Sequence, residues 1–299
     1  MQVIWVGLAV AAAGLQLARN AVQKSLKSVM NDWAVTWTRF VFGWPWVALV
    51  YGLGFGADSV QIPVQFWIYC TLGGVAQIGG TRCLMGCFSG RQFAVGITLT
   101  KLESILTALL AFLLFQDPLS GVGLSLILMG MLGVLMVSAG QQHVSLAQVW
   151  GAIRSPAALY GMASGVCFAL ASALFRQANL AVVSGDPFLR GIFTLLVVLS
   201  IQTLILTVML GVFYPAEFGK VRRYWRRSSM VGILGVSASM GWFIAFGMTN
   251  AAYVKMVGQV DMVGALLLGY FVFKERVSRV EVMGMVLVVL VVALASVYL

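Results

Sequence analysis

Apolar residues run along this chain with few interruptions, and polar positions punctuate them at helix-length intervals. Ten apolar runs occupy roughly 2–24, 33–55, 64–86, 92–115, 120–138, 157–180, 187–213, 229–250, 252–273 and 279–298. Runs of about 18–25 residues suit helices crossing a hydrocarbon core about 30 Å thick. The period-2 alternation of an outer-membrane barrel is absent. The pattern therefore predicts an all-α polytopic membrane protein with ten transmembrane helices. Met1 and Gln2 precede the first run without a basic segment or a clear cleavage site, so that run is expected to be a span and not a signal peptide.

Two stretches read as copies at an offset of 158 positions. Residues Ala94–Ser120 (AVGITLTKLESILTALLAFLLFQDPLS) match Ala252–Ser278 (AYVKMVGQVDMVGALLLGYFVFKERVS). Lys101 falls on Gln259, Glu103 on Asp261, Phe115 on Phe273, Asp117 on Glu275 and Ser120 on Ser278. Weaker echoes link Ala18-Arg19-Asn20-Ala21 with Phe175-Arg176-Gln177-Ala178, and Asp32 with Asp186. The polar connection from Ala139 to Pro156 would join the halves, giving 1–145 and 146–299 as two five-helix repeats within one membrane domain. Five is odd, so the second half must enter the membrane from the opposite side. The expected architecture is two inverted repeats with a site between them.

Composition supports the membrane assignment: 61% of residues are hydrophobic and 9% charged, against about 25% charged in soluble domains. The formal charge of +10 is no nucleic-acid footprint, because five of the 19 bases sit between Lys220 and Arg227. By the positive-inside rule these bases report topology. Twelve bases fall in alternate loops (Lys24, Lys27, Arg91, Arg154, Lys220, Arg222, Arg223, Arg226, Arg227, Lys274, Arg276, Arg279) and three near the others (Arg176, Arg190, Lys255). That bias predicts termini outside. Cys70, Cys83, Cys87 and Cys167 lack metal-ligand spacing and read as small buried hydrophobes. Glycines cluster at Gly73, Gly74, Gly79 and Gly80, and at Gly232, Gly235 and Gly241, where helices are expected to pack closely.

The ten runs, the five-plus-five repeat and the acidic turns Phe115–Ser120 and Phe273–Ser278 resemble the EamA-type drug/metabolite transporters. The likeness covers nearly the whole chain, although Asp117 stands where that family usually has Glu. It implies a secondary transporter of the bacterial inner membrane. Helices one to four and six to nine would line its cavity, with five and ten at the periphery. It also implies cytoplasmic termini, against the charge bias here. It names no substrate.

A charge at mid-membrane persists only when paired or facing water. Glu103 and Asp261 lie near the centres of spans four and nine. They are either proton-coupling or charge-balancing groups with raised affinity for a proton, or partners of Lys101, Arg19 or Lys255. Lys101, Lys255 and Gln259 are candidate substrate donors; snorkelling of Lys255 to the interface is the alternative. Arg19 and Arg176 suit bidentate contact with carboxylate or phosphate, or anchor helix ends at headgroups. Gln77 is a candidate cavity liner. Arg39 and Trp37 are gate or interface residues, with Trp33 and Trp37 alternatively forming an aromatic belt. His143 lies in the central loop. No nucleophile motif, P-loop or metal spacing is present, so no enzyme activity, cofactor or metal is expected. Buried base exceeds buried acid, which points to a small anionic or zwitterionic metabolite: an amino acid, organic acid or phosphorylated compound. The competing expectations are a flippase for an anionic lipid headgroup, an efflux carrier for organic cations and a non-transporting scaffold. The expected partners are a small-molecule substrate and membrane lipids, with the protein a monomer or homodimer.

Overall fold

The computed structural model describes residues 2–55, 60–87, 93–142, 155–274 and 277–299. Arg91, His143, Arg154, Glu275 and Arg276 lie outside the described residues. Among the described residues every regular element is a helix: α1 (Gln2–Leu26), α2 (Asp32–Val41), α3 (Trp44–Gly54), α4 (Val64–Cys87), α5 (Phe93–Thr100), α6 (Glu103–Phe115), α7 (Gly121–Gln142), α8 (Pro156–Ala181), α9 (Pro187–Phe213), α10 (Ala216–Arg223), α11 (Trp225–Met248), α12 (Ala251–Gly258), α13 (Val260–Phe273) and α14 (Arg279–Tyr298). Among the described residues, eight helical stretches are long and apolar enough to cross a membrane: α1, α5–α6, α7, α8, α9, α11, α12–α13 and α14. The chain is an all-helical, multi-pass membrane protein.

Two of the ten predicted spans are not among those eight. The second is divided at Phe42-Gly43 into α2 and α3, of 10 and 11 residues. Pro45 lies just beyond, and its ring nitrogen has no hydrogen for the carbonyl of Val41. The third, α4, has 24 residues but carries Gln65, Gln77, Thr71, Thr81, Arg82 and several glycines, which lower its apolar content.

Helix starts follow side-chain chemistry. Asn31, Ser155, Asp186 and Asn250 each accept a backbone N–H in the first turn, and prolines stand at the starts of α8 and α9. Ser278 and Glu281 form a reciprocal capping box. The ends of α6 and α13 are alike: Gln116 (φ 52°) and Lys274 (φ 54°), equivalent under the 158-residue offset, are the non-glycine residues with positive φ among those described. Each closes its helix with a left-handed cap.

Small residues set the packing. Rings of α8 seat on glycines of α4: Phe175 on Gly73, Phe168 on Gly80 and Tyr160 on Gly86. A Cβ at those glycines would lie 2.7–2.9 Å from the rings, so the two antiparallel helices interlock. The same helix α8 packs on α5 and α6, while α1 packs on α11, α12 and α13. Helices α7 and α14 pack together, and α9 covers α2 and α3. Gly161 of α8 faces the backbone of Gly96 in α5, and a Cβ there would come within 2.8 Å of its Cα and carbonyl carbon. Backbone cannot swing aside as a side chain can. Gly161→Ala is therefore expected to lower stability by about 2 kcal/mol, read as the thermal unfolding midpoint in detergent; an unchanged midpoint would contradict this contact.

Contacts sort the loops into two groups. Lys27 and Arg82 both pair with Asp32, at 3.2 and 3.0 Å, and the backbone N–H of Asn31 donates to Glu217 at 3.1 Å. These join the α1–α2 turn to the end of α4 and to α10. Elsewhere an isolated antiparallel bridge links Gln61 to Val183, Arg176 pairs with Asp117, and Ser120 N donates to Tyr253 Oη at 2.9 Å. These join the segment before α4, the α6–α7 turn, the C-terminal end of α8 and the start of α12.

Candidate functional site

The two copies break at matching places. Helix α5 stops at Thr100 and α6 starts at Glu103; α12 stops at Gly258 and α13 starts at Val260. At each break the chain tightens into i→i+3 bonds: Lys101 N to Thr98 O at 3.0 Å, Leu102 N to Leu99 O at 3.2 Å, Gln259 N to Met256 O at 3.1 Å and Met262 N to Gln259 O at 3.0 Å. The bases stand at the carboxyl ends of the upstream pieces, Lys255 in the last turn of α12 and Lys101 just past α5. The acids stand in the first turns of the downstream pieces, Glu103 in α6 and Asp261 in α13. Both placements complement the helix dipole.

The ion pairs are crossed. Lys101 Nζ reaches Asp261 Oδ1 and Oδ2 at 2.6 and 2.5 Å, and Lys255 Nζ reaches Glu103 Oε1 at 2.5 Å. Each acid is thus neutralised by the base from the other copy. Gln259 occupies the position equivalent to Lys101 and donates to Ser104 Oγ at 2.7 Å. With no base at 259, the second copy supplies one from four residues earlier, on the same helix face. The four charged side chains are 9–19% exposed.

A small cavity opens beside these pairs. Polar groups on its wall are Gln16 and Arg19 from α1, Arg39 from α2, Gln77 from α4, Ser172 from α8, Ser239 from α11, and Glu103 with Lys255. Aromatic rings supply the rest, chiefly Phe168, Phe175, Trp242, Phe243 and Phe246. A second, smaller hollow shares Gln16, Glu103, Trp242 and Lys255 with it and reaches Lys101, Gln259 and Asp261. The Lys255 ammonium also sits 4.9 Å from the ring centre of Trp242. Trp242 Nε1, Arg19 Nε and Gln259 Oε1 are buried without a hydrogen-bond partner among the described residues. Unsatisfied polar atoms at a cavity wall are places for water or ligand.

Of the residues expected from sequence, Arg19, Arg39, Gln77, Glu103 and Lys255 share the larger cavity, and Lys101, Gln259 and Asp261 the adjoining one. Arg39, expected at a gate or interface, is 5% exposed on the inner wall. Arg176 is placed apart. Its guanidinium donates to Asp117 Oδ2 at 2.6 Å, to Phe246 O at 2.9 Å and to Thr249 O, tying α8 to the α6–α7 turn and the end of α11. Trp37 is also elsewhere: its indole N–H donates to Thr207 Oγ1 at 2.8 Å and its ring meets Phe218 edge-on. Sequence reading missed Gln16, Ser172 and Ser239. Gln16 carried a signal, since it lies three residues before Arg19 on one face of an apolar helix. The serines carried none among the small residues around them.

No family model and no curated protein matches the chain. A solved structure described as "Crystal structure of protein" is similar, at 16% identity and a TM-score of 0.69, over 99% of this chain and 96% of that one. At that identity the likeness concerns the fold alone.

Proposed function

We propose that this chain is a secondary active transporter that moves a small anionic or zwitterionic metabolite across a bacterial inner membrane by alternating access. The observation that carries the reading is the pair of broken helices, Phe93–Phe115 and Ala251–Phe273, whose breaks meet at the cavity and exchange lysine–carboxylate pairs. Interrupted helices with charged groups at the break are the devices by which transporters hold a polar substrate at the midplane. Ten crossings in two inverted repeats account for the contacts. Helix α1 stands to α11, α12 and α13 as α8 stands to α4, α5 and α6, and α7 faces α14. The loop groupings also alternate as ten crossings require. The loop bearing Lys220, Arg222 and Arg223 then shares the cytoplasmic side with the α1–α2 turn, leaving the termini outside. The EamA-type transporters are the family this reading favours.

The test is reconstitution of the purified protein in liposomes loaded with labelled amino acids, organic acids or phosphorylated compounds. Counterflow of at least one anionic or zwitterionic class is expected, abolished by Lys255→Ala. Movement of labelled lipid instead would support the flippase, and organic-cation efflux lost in Glu103→Gln but kept in Lys101→Ala would support the cation exporter. No movement of any of these, from protein that remains folded, refutes the carrier reading.

A further inference from the structure

The charges at the cavity do not cancel. Lys101 is taken by Asp261 and Lys255 by Glu103, which leaves Arg19 and Arg39. Both are buried, at 2% and 5% exposure, and no described carboxylate comes within 4.0 Å of either guanidinium. Their polar partners are neutral: Arg19 Nη2 donates to Asn20 Oδ1 at 2.8 Å, and Arg39 Nη1 donates to Thr81 Oγ1 at 3.1 Å. Their stems converge on one small residue. A Cβ on Gly235 would lie 3.2 Å from Arg19 Cδ and 3.1 Å from Arg39 Cγ, so both stems pack against this glycine. Two like charges held together in a low-dielectric site repel strongly unless something neutralises them.

We infer that the missing counter-charge is the substrate, and that the substrate is a compact dianion seated between Arg19 and Arg39. This rests on the carrier reading above and narrows it: the arginine pair supplies the anion seat, while the lysines are occupied by the acids of the opposite copy. A planar guanidinium offers paired N–H donors to carboxylate or phosphate, and two of them suit a group bearing two negative charges. A phosphate monoester carries both on one phosphorus and a short dicarboxylate on two carbons; the shared chemistry is the double charge.

The experiment is calorimetric titration of the full chain in detergent at pH 7.5 with two matched pairs, methyl phosphate against dimethyl phosphate and succinate against succinamate. In at least one pair the dianion is expected to bind about tenfold tighter or more than its monoanionic partner. Arg19→Gln and Arg39→Gln should each erase that difference. A wild-type measurement needs no variant to fold: the second proton of methyl phosphate titrates near pH 6, so its affinity should fall about tenfold from pH 7.5 to 5 while that of dimethyl phosphate stays level. Comparable binding of dianions and monoanions, or a preference that survives both substitutions, overturns the inference and leaves the carrier reading intact. Absence of binding by every small anion, together with absence of counterflow, removes both.

Discussion

Asp261→Asn is expected to destabilise the protein by about 3 kcal/mol, because it leaves the Lys101 ammonium in the bundle without its acid. The lysine side chain is 16% exposed, and the hollow it shares with Gln16, Ser104 and Gln259 holds one other carboxylate, Glu103, which is already paired with Lys255, so the lost partner is not replaced. Lys101→Met should be similarly harmful for the reciprocal reason. The double variant Lys101→Met, Asp261→Leu removes both charges and should recover most of the lost stability, since well-packed apolar residues often replace a buried pair without loss. A double-mutant cycle on unfolding midpoints in detergent measures the coupling. Strictly additive losses would mean that the pair does not hold the two copies together. Transport should separate from stability here: the double variant folds, yet turnover stays low, because one of the two crossed connections at the helix breaks is gone.

Arg39→Met is expected to act in the opposite direction on stability. Arg39 is a buried cation with a neutral partner, Thr81, and another cation beside it. Replacing it with an apolar side chain of similar length removes desolvation and repulsion together, and the unfolding free energy should rise by about 1–2 kcal/mol. If the proposed carrier function holds, transport of an anionic substrate should fall at least about a hundredfold, since a charge-assisted, bidentate contact in a dry site is worth about 3 kcal/mol. Higher stability with lost activity is the signature of a residue kept for function and not for the fold. Counterflow assays and unfolding curves on the same preparation decide it. A variant that is both less stable and still active would place Arg39 in the scaffold instead.

The two substitutions show why charge counting in the sequence stopped short. An excess of buried base was visible along the chain, but which bases were spare was not. Lys101, Lys255, Arg19 and Arg176 all looked eligible, and three of these four are satisfied by acids, two of them from the other copy and one at the α6–α7 turn. Arg39, read from sequence as a gate or interface group, proved to be one of the two guanidiniums at the cavity without an acid. Likewise the glycines announced close helix contact, but not that α4 would receive rings of α8 while Gly235 received arginine stems.

Hydrophobic pattern and length alone determined that this is a helical membrane protein, because hydrocarbon leaves a backbone no partner but its own helix. The repeat placed paired acids in matching helices, since local similarity is a one-dimensional property. It also marked the left-handed turns at Gln116 and Lys274 as equivalents. Tertiary structure decided the rest. The breaks at Lys101 and Gln259, the crossing of the ion pairs and the pooling of two arginines at Gly235 depend on how distant helices approach one another. Pairing energy is set by distance and by exclusion of water, and neither is written in the spacing of residues along a chain.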